Sequence, residues 1–266
     1  LAVLAVENGA DKLRINPGNI GGEKEVALVA DCVRAHHVPV RVGANTGSIE
    51  KKHLEKYGRS AEALVLSALD NVAVLERHGV EDIVVSVKAS DVPLTVEAYT
   101  LLRKRCDYPL HLGVTEAGTQ HMGIVKSSIG IGSLLLAGIG ETIRVSLSAD
   151  PVEEVYAAHD ILRACGLEKD YVDVVACPTC GRCRYDCMGL ASRVEARVRT
   201  VKKKLKVAVM GCVVNGPGEA KGCDLGIAGG EEYCIIMQKG HENVRVAAAD
   251  AEREFFARLE LLIDEE

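Results

Sequence analysis

Two cysteines three positions apart, Cys177 and Cys180, stand in the run ACPTCGR (176–182). A third, Cys212, opens CVVNGPGE, whose last residue is Glu219. Thiolates are soft ligands that suit iron–sulfur clusters, and a Gly- and Pro-rich turn lets the backbone come close to a bulky group. A cluster held by Cys177, Cys180, Cys212 and Glu219 has three thiolates and one hard oxygen ligand, so one iron is weakly held. Such an iron can bind and reduce a substrate oxygen. The four side chains are then expected to converge on one small void. Asn215, Gly216 and Gly218 lie between the third thiol and the carboxylate.

Three other readings compete. Incidental buried thiols do not explain a Cys-Pro-x-Cys pair answered by a distant Gly-Cys. A zinc ribbon wants a second close cysteine pair, and Cys212 and Cys223 are too far apart to form one. Cys177, Cys180, Cys183 and Cys187 have the C-x2-C-x2-C-x3-C spacing of a bacterial ferredoxin. That run normally ends in proline, Met188 stands there instead, and no second copy follows. Residues 188 to 201 also read as a helix, which puts Cys187 in or beside its first turn. The set with Glu219 accounts for both conspicuous motifs at once. Cys32, Cys106 and Cys165 stand singly in apolar or helical stretches and read as small buried hydrophobes.

The elements that position these groups fall into two parts. Residues 12–16, 38–45, 82–90, 109–116 and 142–148 read as strands, with helical patterns such as 60–78 and 126–137 between them. That alternation predicts a parallel sheet with right-handed crossovers. Each strand ends in polar or charged residues: Asn16 and Asn19, Asn45 and Thr46, Lys88 and Ser90, Thr115 and Glu116, Ser146 and Ser148. In a (β/α)8 barrel the active site lies at those ends. The expected fold is α/β, a partial TIM-type barrel of about five strand–helix units, with a doubly wound open sheet as the alternative. The chain begins at Leu1 with what reads as the tail of a helix, so an N-terminal part carrying the other units is expected to be missing. Asp150-Pro151 marks the boundary between residues 1–150, the barrel part, and residues 151–266, a smaller α+β unit. In the second part 152–165, 188–201 and 249–263 read as helices, and 171–176, 206–210, 225–228 and 233–238 as strands.

Bulk properties exclude several classes. A formal charge of −6 disfavours a nucleic-acid binder. No apolar run reaches the length of a membrane helix, and no export signal is apparent, which points to the cytoplasm. Ten cysteines at uneven spacing in a chain with a large core do not read as a disulfide scaffold. The basic run at 202–206 reads as a solvated helix end, with docking of an acidic redox protein as the other reading.

The motifs together resemble one family, the 4-hydroxy-3-methylbut-2-enyl diphosphate synthases of the methylerythritol phosphate route to isoprenoids. The resemblance covers nearly the whole chain. It runs through KLRINPGNI (12–20), RVGANTGS (41–48), KASDVPL (88–94), HLGVTEAG (111–118), KSSIGIG (126–132), GETIRVS (140–146), CPTCGR (177–182) and GCVVNGPGE (211–219). It implies two-electron reductive opening and dehydroxylation of 2-C-methyl-D-erythritol 2,4-cyclodiphosphate, giving 4-hydroxy-3-methylbut-2-enyl diphosphate. It implies a [4Fe-4S] cluster on Cys177, Cys180, Cys212 and Glu219, with flavodoxin or ferredoxin as electron donor. It also implies a head-to-tail homodimer in which one subunit's cluster domain covers the other's barrel mouth. Arg14, Arg41, Lys88 and Arg144, with Asn45 and Ser146 as neutral donors, would then contact the substrate. A cyclic diphosphate needs such fixed cations while a C–O bond breaks. Glu116 would protonate the departing hydroxyl, Asn215 would position substrate oxygen, and Glu219 would be the ligand most easily displaced. Lys126 and Arg182 are weaker candidates, and His111, His121 and the pair His36–His37 read as structural or solvent-facing. Cys183 and Cys187 stand where the family usually has other residues.

Overall fold

A computed structural model describes residues 1–16 and 20–265. Asn19, expected at a strand end, lies outside the described residues. The chain divides into two compact units, Leu1–Leu167 and Glu168–Glu266.

The first unit contains α1 (Ala2–Glu7), β1 (Leu13–Arg14), α2 (Glu23–Ala35), β2 (Val40–Asn45), α3 (Lys51–Tyr57), α4 (Ala61–Arg77), β3 (Ile83–Lys88), α5 (Val92–Arg103), β4 (His111–Leu112), α6 (Gln120–Leu136), β5 (Thr142–Ile143) and α7 (Pro151–Ala164). Three of these helices begin at side-chain caps that the sequence supplies. Ser60 accepts from the Ala63 N–H, Asp91 from Leu94 and Asp150 from Val152. Pro151 opens α7, where a missing N–H costs nothing. The helix after Asp150 therefore belongs to the first unit, and the contact boundary falls at Leu167 rather than beside Pro151.

Strand pairing follows chain order. β1 pairs with β2 and β2 with β3, a bridge joins Val85 to Leu110, and β4 pairs with β5, all parallel. A doubly wound sheet reverses its strand order at a switch point; this one does not. The described strands make an arc of parallel pairs, without a ring closing β5 onto β1. In β2 the side chains of Val40, Val42 and Ala44 are buried, while Arg41, Gly43 and Asn45 line the other face. Register places Arg14 beside Arg41, Asn45 beside Lys88, and His111 beside Thr142.

Gly43 is required by close approach. A Cβ there would stand 1.7 Å from the Ser86 carbonyl oxygen. Gly43→Ala is expected to destabilise the first unit by about 3 kcal/mol or more, because backbone rather than a mobile side chain must move. Chemical denaturation reads this directly, and an unchanged midpoint would contradict the strand pairing.

The second unit contains β6 (Val172–Ala176), α8 (Cys187–Val198), β7 (Leu205–Met210), α9 (Gly216–Glu219), β8 (Leu225–Ala228), β9 (Tyr233–Gln238), β10 (Val244–Ala247) and α10 (Ala248–Asp264). Its five-stranded sheet has the order β10-β9-β8-β7-β6. β6, β7 and β8 are parallel, and β9 and β10 complete it antiparallel. Leu190, Val194 and Val198 of α8 and Phe255 and Leu259 of α10 pack with Val207, Ile227 and Ile236 of the sheet in one core. Ala208, Met210, Ala228 and Met237 form a second, smaller core.

Candidate active site

In the first unit the parallel register gathers cations on one sheet face. Arg14 and Arg41 are paired neighbours on β1 and β2, and Lys88 ends β3. Arg144 follows β5, its N–H bonded to the Leu112 carbonyl. A Cβ at Gly113 would meet Lys88 Nζ at 2.7 Å and the Arg144 carbonyl at 2.8 Å, so this glycine gives the lysine room to cross β4. Lys88 is only 8% exposed. Burial, and then the nearby charges of Arg41, Arg144 and Arg14, push its ammonium down to about 7. Burial, Arg14 and Arg144 likewise lower Arg41. Among the described residues no carboxylate lies within ion-pair distance of any of the four. Clustered like charges without a counter-ion are costly, and an anion relieves the cost.

The neutral candidates border this face. Asn45 ends β2 in register with Lys88, and its own N–H is bonded to Ser48 Oγ. Ser146 is half-buried two residues beyond Arg144. Glu116 is exposed, just past Thr115, whose N–H bonds the Ala89 carbonyl beyond β3. Its φ of 51° is left-handed, a conformation that costs a non-glycine residue about 1–2 kcal/mol. No ion pair joins Glu116 to the cations among the described residues, so it does not serve as their structural counter-charge. Lys126 is half-buried on α6 and His121 is exposed at the start of that helix.

The sequence reading makes His111 structural or solvent-facing, and its geometry is more specific. Its Nδ1 lies 2.8 Å from Thr142 Oγ1, while its Nε2 is buried with no partner among the described residues. Burial, and then Lys88, Arg41, Lys12 and Arg144, push the imidazole down to about 3, so it is neutral. A buried unpaired polar atom costs about 1–3 kcal/mol. Tyr99, fully buried, donates its hydroxyl to the His111 carbonyl at 2.5 Å and fixes this part of β4. Spacing alone gives no signal for this residue, because its neighbours come from five other stretches of chain.

In the second unit the thiols lie at the carboxyl ends of adjacent parallel strands. Cys177 follows β6, and its N–H bonds the Val209 carbonyl on β7. Cys212 follows β7 after Gly211. A Cβ at Gly211 would stand 3.3 Å from the Cys183 sulfur and 3.6 Å from the Cys177 sulfur. Both sulfurs therefore point at the turn that carries Cys212. Between Cys177 and Cys180, Thr179 has a φ of 61°, a strained value for a β-branched residue, and Cys180 is exposed. The Cys212 thiol is drawn toward thiolate chiefly by the backbone N–H groups of Asn215 and Val214, with the Arg182 charge adding to them. Asn215 precedes α9 and Glu219 ends it, both exposed.

Cys187 is different. Asp186 caps α8, so Cys187 is its first residue, 1% exposed in the core, with its thiol against the Val209 carbonyl at 3.7 Å. Burial pushes that thiol up, away from ligand chemistry. Cys183 donates its thiol to the Tyr185 carbonyl at 3.2 Å. No three of Cys177, Cys180, Cys212 and Glu219 have ligand atoms that all lie within 4.8 Å of one another. Among the described residues the one group whose ligand atoms all lie within 4.8 Å is Glu50, His53 and Asp70, in the first unit. There the Lys52 ammonium, 2.7 Å from Asp70 and 3.3 Å from Glu50, already balances the carboxylates. Cys177, Cys180, Cys212 and Glu219 are more widely spread than ligands of one ion. A cluster with several irons takes one protein ligand on each, so wider spacing suits it better than zinc. The activated Cys212 and the Cys177 sulfur close to Gly211 fit such a group.

Two family models match the chain. One, described as the GcpE TIM-barrel domain, covers residues 1–159, and the other, the GcpE protein C-terminal domain, covers residues 173–261. A protein of Caldanaerobacter subterraneus subsp. tengcongensis named 4-hydroxy-3-methylbut-2-en-1-yl diphosphate synthase (flavodoxin) is 54% identical over all of this chain and 75% of its own length. Proteins of the same name from Brevibacillus brevis and Desulfotalea psychrophila are 49% and 52% identical, again over the whole chain and 74% of their own lengths.

Proposed function

The chain belongs to the GcpE family, and we infer from this membership and from the uncompensated cations that it carries out the reaction for which its relatives are named. It is an oxidoreductase of isoprenoid biosynthesis. It opens 2-C-methyl-D-erythritol 2,4-cyclodiphosphate and removes a hydroxyl as water, with two electrons from a flavodoxin, to give 4-hydroxy-3-methylbut-2-enyl diphosphate. The observation that carries the reading is the buried Lys88 among three guanidinium groups, with no carboxylate partner among the described residues.

Arg14, Arg41, Lys88 and Arg144 bind the diphosphate, and Asn45 and Ser146 add neutral hydrogen bonds. Their fixed charge stabilises the negative charge that grows on phosphate oxygen as the ring C–O bond breaks. Glu116, exposed beside the cup and held in a strained turn, delivers the proton to the departing hydroxyl. The enzyme works with an iron–sulfur cluster, of the [4Fe-4S] type, held by Cys177, Cys180, Cys212 and Glu219. When bound, the cluster supplies the electrons and one iron with a weakly held oxygen ligand. Asn215, beside Cys212, orients the substrate oxygen. The first unit carries the five-strand arc of a larger (β/α)8 barrel, as the chain-order parallel pairing supports. The setting is cytoplasmic, in keeping with ten free cysteines. No helix among the described residues is long and apolar enough to cross a membrane.

The working form is a head-to-tail homodimer, in which the cations of one copy are served by the cluster unit of the other. Complementation tests both the function and this arrangement. Lys88→Met and Cys212→Ser chains are each expected to be inactive alone. Reassembled together, mixed dimers have one site with both halves intact, restoring about a quarter of the unmodified turnover. No recovery in dimers shown to be mixed would contradict the head-to-tail arrangement, and no turnover by the unmodified chain would contradict the function.

A further inference from the structure

We propose that His111 is a further substrate-binding residue, donating its Nε2–H to a phosphate oxygen while the Thr142 hydroxyl fixes the ring's tautomer at Nδ1. The proposal rests on the cup being the diphosphate site. His111 and Thr142 are paired neighbours on β4 and β5, so the 2.8 Å contact between their side chains is set by strand register. With the threonine hydroxyl donating to Nδ1, the proton of the neutral ring sits on Nε2. That atom is buried and unpartnered among the described residues. Gly113, two residues on and just past the end of β4, is the residue crossed by Lys88 Nζ, which places the ring near the ammonium on the cationic face.

The charges around the ring come from both sides of β4: Lys88 on β3, Arg41 on β2 and Lys12 before β1 on one side, and Arg144 after β5 on the other. A fifth cation here would add repulsion to a cluster that already lacks a counter-charge. A neutral donor adds a hydrogen bond to the anion without that repulsion. The orphaned N–H is then a group waiting for an acceptor, and the ligand this face attracts is rich in acceptor oxygens.

Two amide substitutions separate the ring nitrogens. His111→Asn keeps a polar group near the position of Nδ1 and lacks the distal donor, whereas His111→Gln places an amide near the position of Nε2. Binding of 2-C-methyl-D-erythritol 2,4-cyclodiphosphate to the full chain is measured by calorimetry, with His111→Asn, His111→Gln and Lys88→Met alongside. Histidine 15N spectra of the unmodified chain are recorded with and without ligand. His111→Asn is expected to weaken binding about tenfold or more, and His111→Gln to recover most of the loss. The Nε2 resonance should be protonated before ligand is added and shift when it binds. Equal affinity in His111→Asn and the unmodified chain, with an unmoved Nε2 signal, overturns the proposal. If Lys88→Met still weakens binding in that case, the cup stands and only the role of His111 falls. If the unmodified chain binds no cyclodiphosphate, both fall.

Discussion

Replacing Lys88 by methionine lowers kcat/KM for the cyclodiphosphate by about 10²–10³-fold, the loss typical of removing one charged or hydrogen-bonding group from a transition state. The ammonium is the most buried cation on its face, and among the described residues it has no carboxylate to return to. Its removal leaves three guanidinium groups without the lysine that crosses Gly113. The pH profile gives a second reading of the same residue. In the empty cup Lys88 loses its proton near pH 7, and only the charged form pairs with phosphate. Since kcat/KM reports the free enzyme, it is expected to fall up to tenfold per pH unit above about 7. Lys88→Arg, whose guanidinium stays charged, should lack this fall even if its absolute activity is lower. A profile that falls identically in both chains would place the titration elsewhere. The stability of the empty chain changes in the opposite sense. The folded-state value lies below the ordinary 10.5, so the unfolded chain binds more protons between about 7 and 10.5. The contribution of this group to unfolding free energy therefore rises with pH across that window.

Cys212→Ser is expected to abolish bound iron, whereas Cys183→Ser and Cys187→Ser retain it. The Cys212 sulfur receives the Asn215 and Val214 N–H groups just ahead of α9, which favour thiolate, and a serine hydroxyl in that position is a poor ligand for iron. Cys187 is committed to the core, beneath β7, so its removal alters packing and leaves the ligand set intact. Cys183 is the sharper test, because its sulfur shares the Gly211 turn with that of Cys177. Iron and sulfide counts after anaerobic reconstitution decide the matter. Loss of iron in Cys183→Ser and Cys187→Ser, with retention in Cys212→Ser, would restore the four-cysteine ferredoxin reading.

Much of this was legible in the order of the residues, for reasons that can be named. β8 and β9 run where their apolar stretches predict, Leu225–Ala228 and Tyr233–Gln238, because each has neighbours on both sides. The last barrel strand reads as residues 142–148, but the ladder with β4 covers only Thr142–Ile143, and beyond it Ser148 joins through an isolated parallel bridge to Thr119. β10 escaped notice because Val244–Ala247 is a four-residue, largely exposed edge strand, too short a run for its alternating valines to stand out. Residues 216–219 read as a turn from their glycines and proline and instead wind one short helix, preceded by the Val214 and Asn215 N–H groups that act on Cys212. The cations were legible individually by type and strand position. Their lack of counter-charges, and the orphaned nitrogen of His111, depend on neighbours far apart in sequence. Only the folded register brings those together.

The ligand set is tested most directly by 57Fe Mössbauer spectroscopy of the anaerobically reconstituted chain, compared with Glu219→Ala. Three thiolate-bound irons and one carboxylate-bound iron give a majority signal and a distinct minority signal of about one-third its area. Glu219→Ala should change the minority signal alone. Four equivalent irons, or a spectrum indifferent to the loss of Glu219, would contradict the assignment of three cysteines and one glutamate.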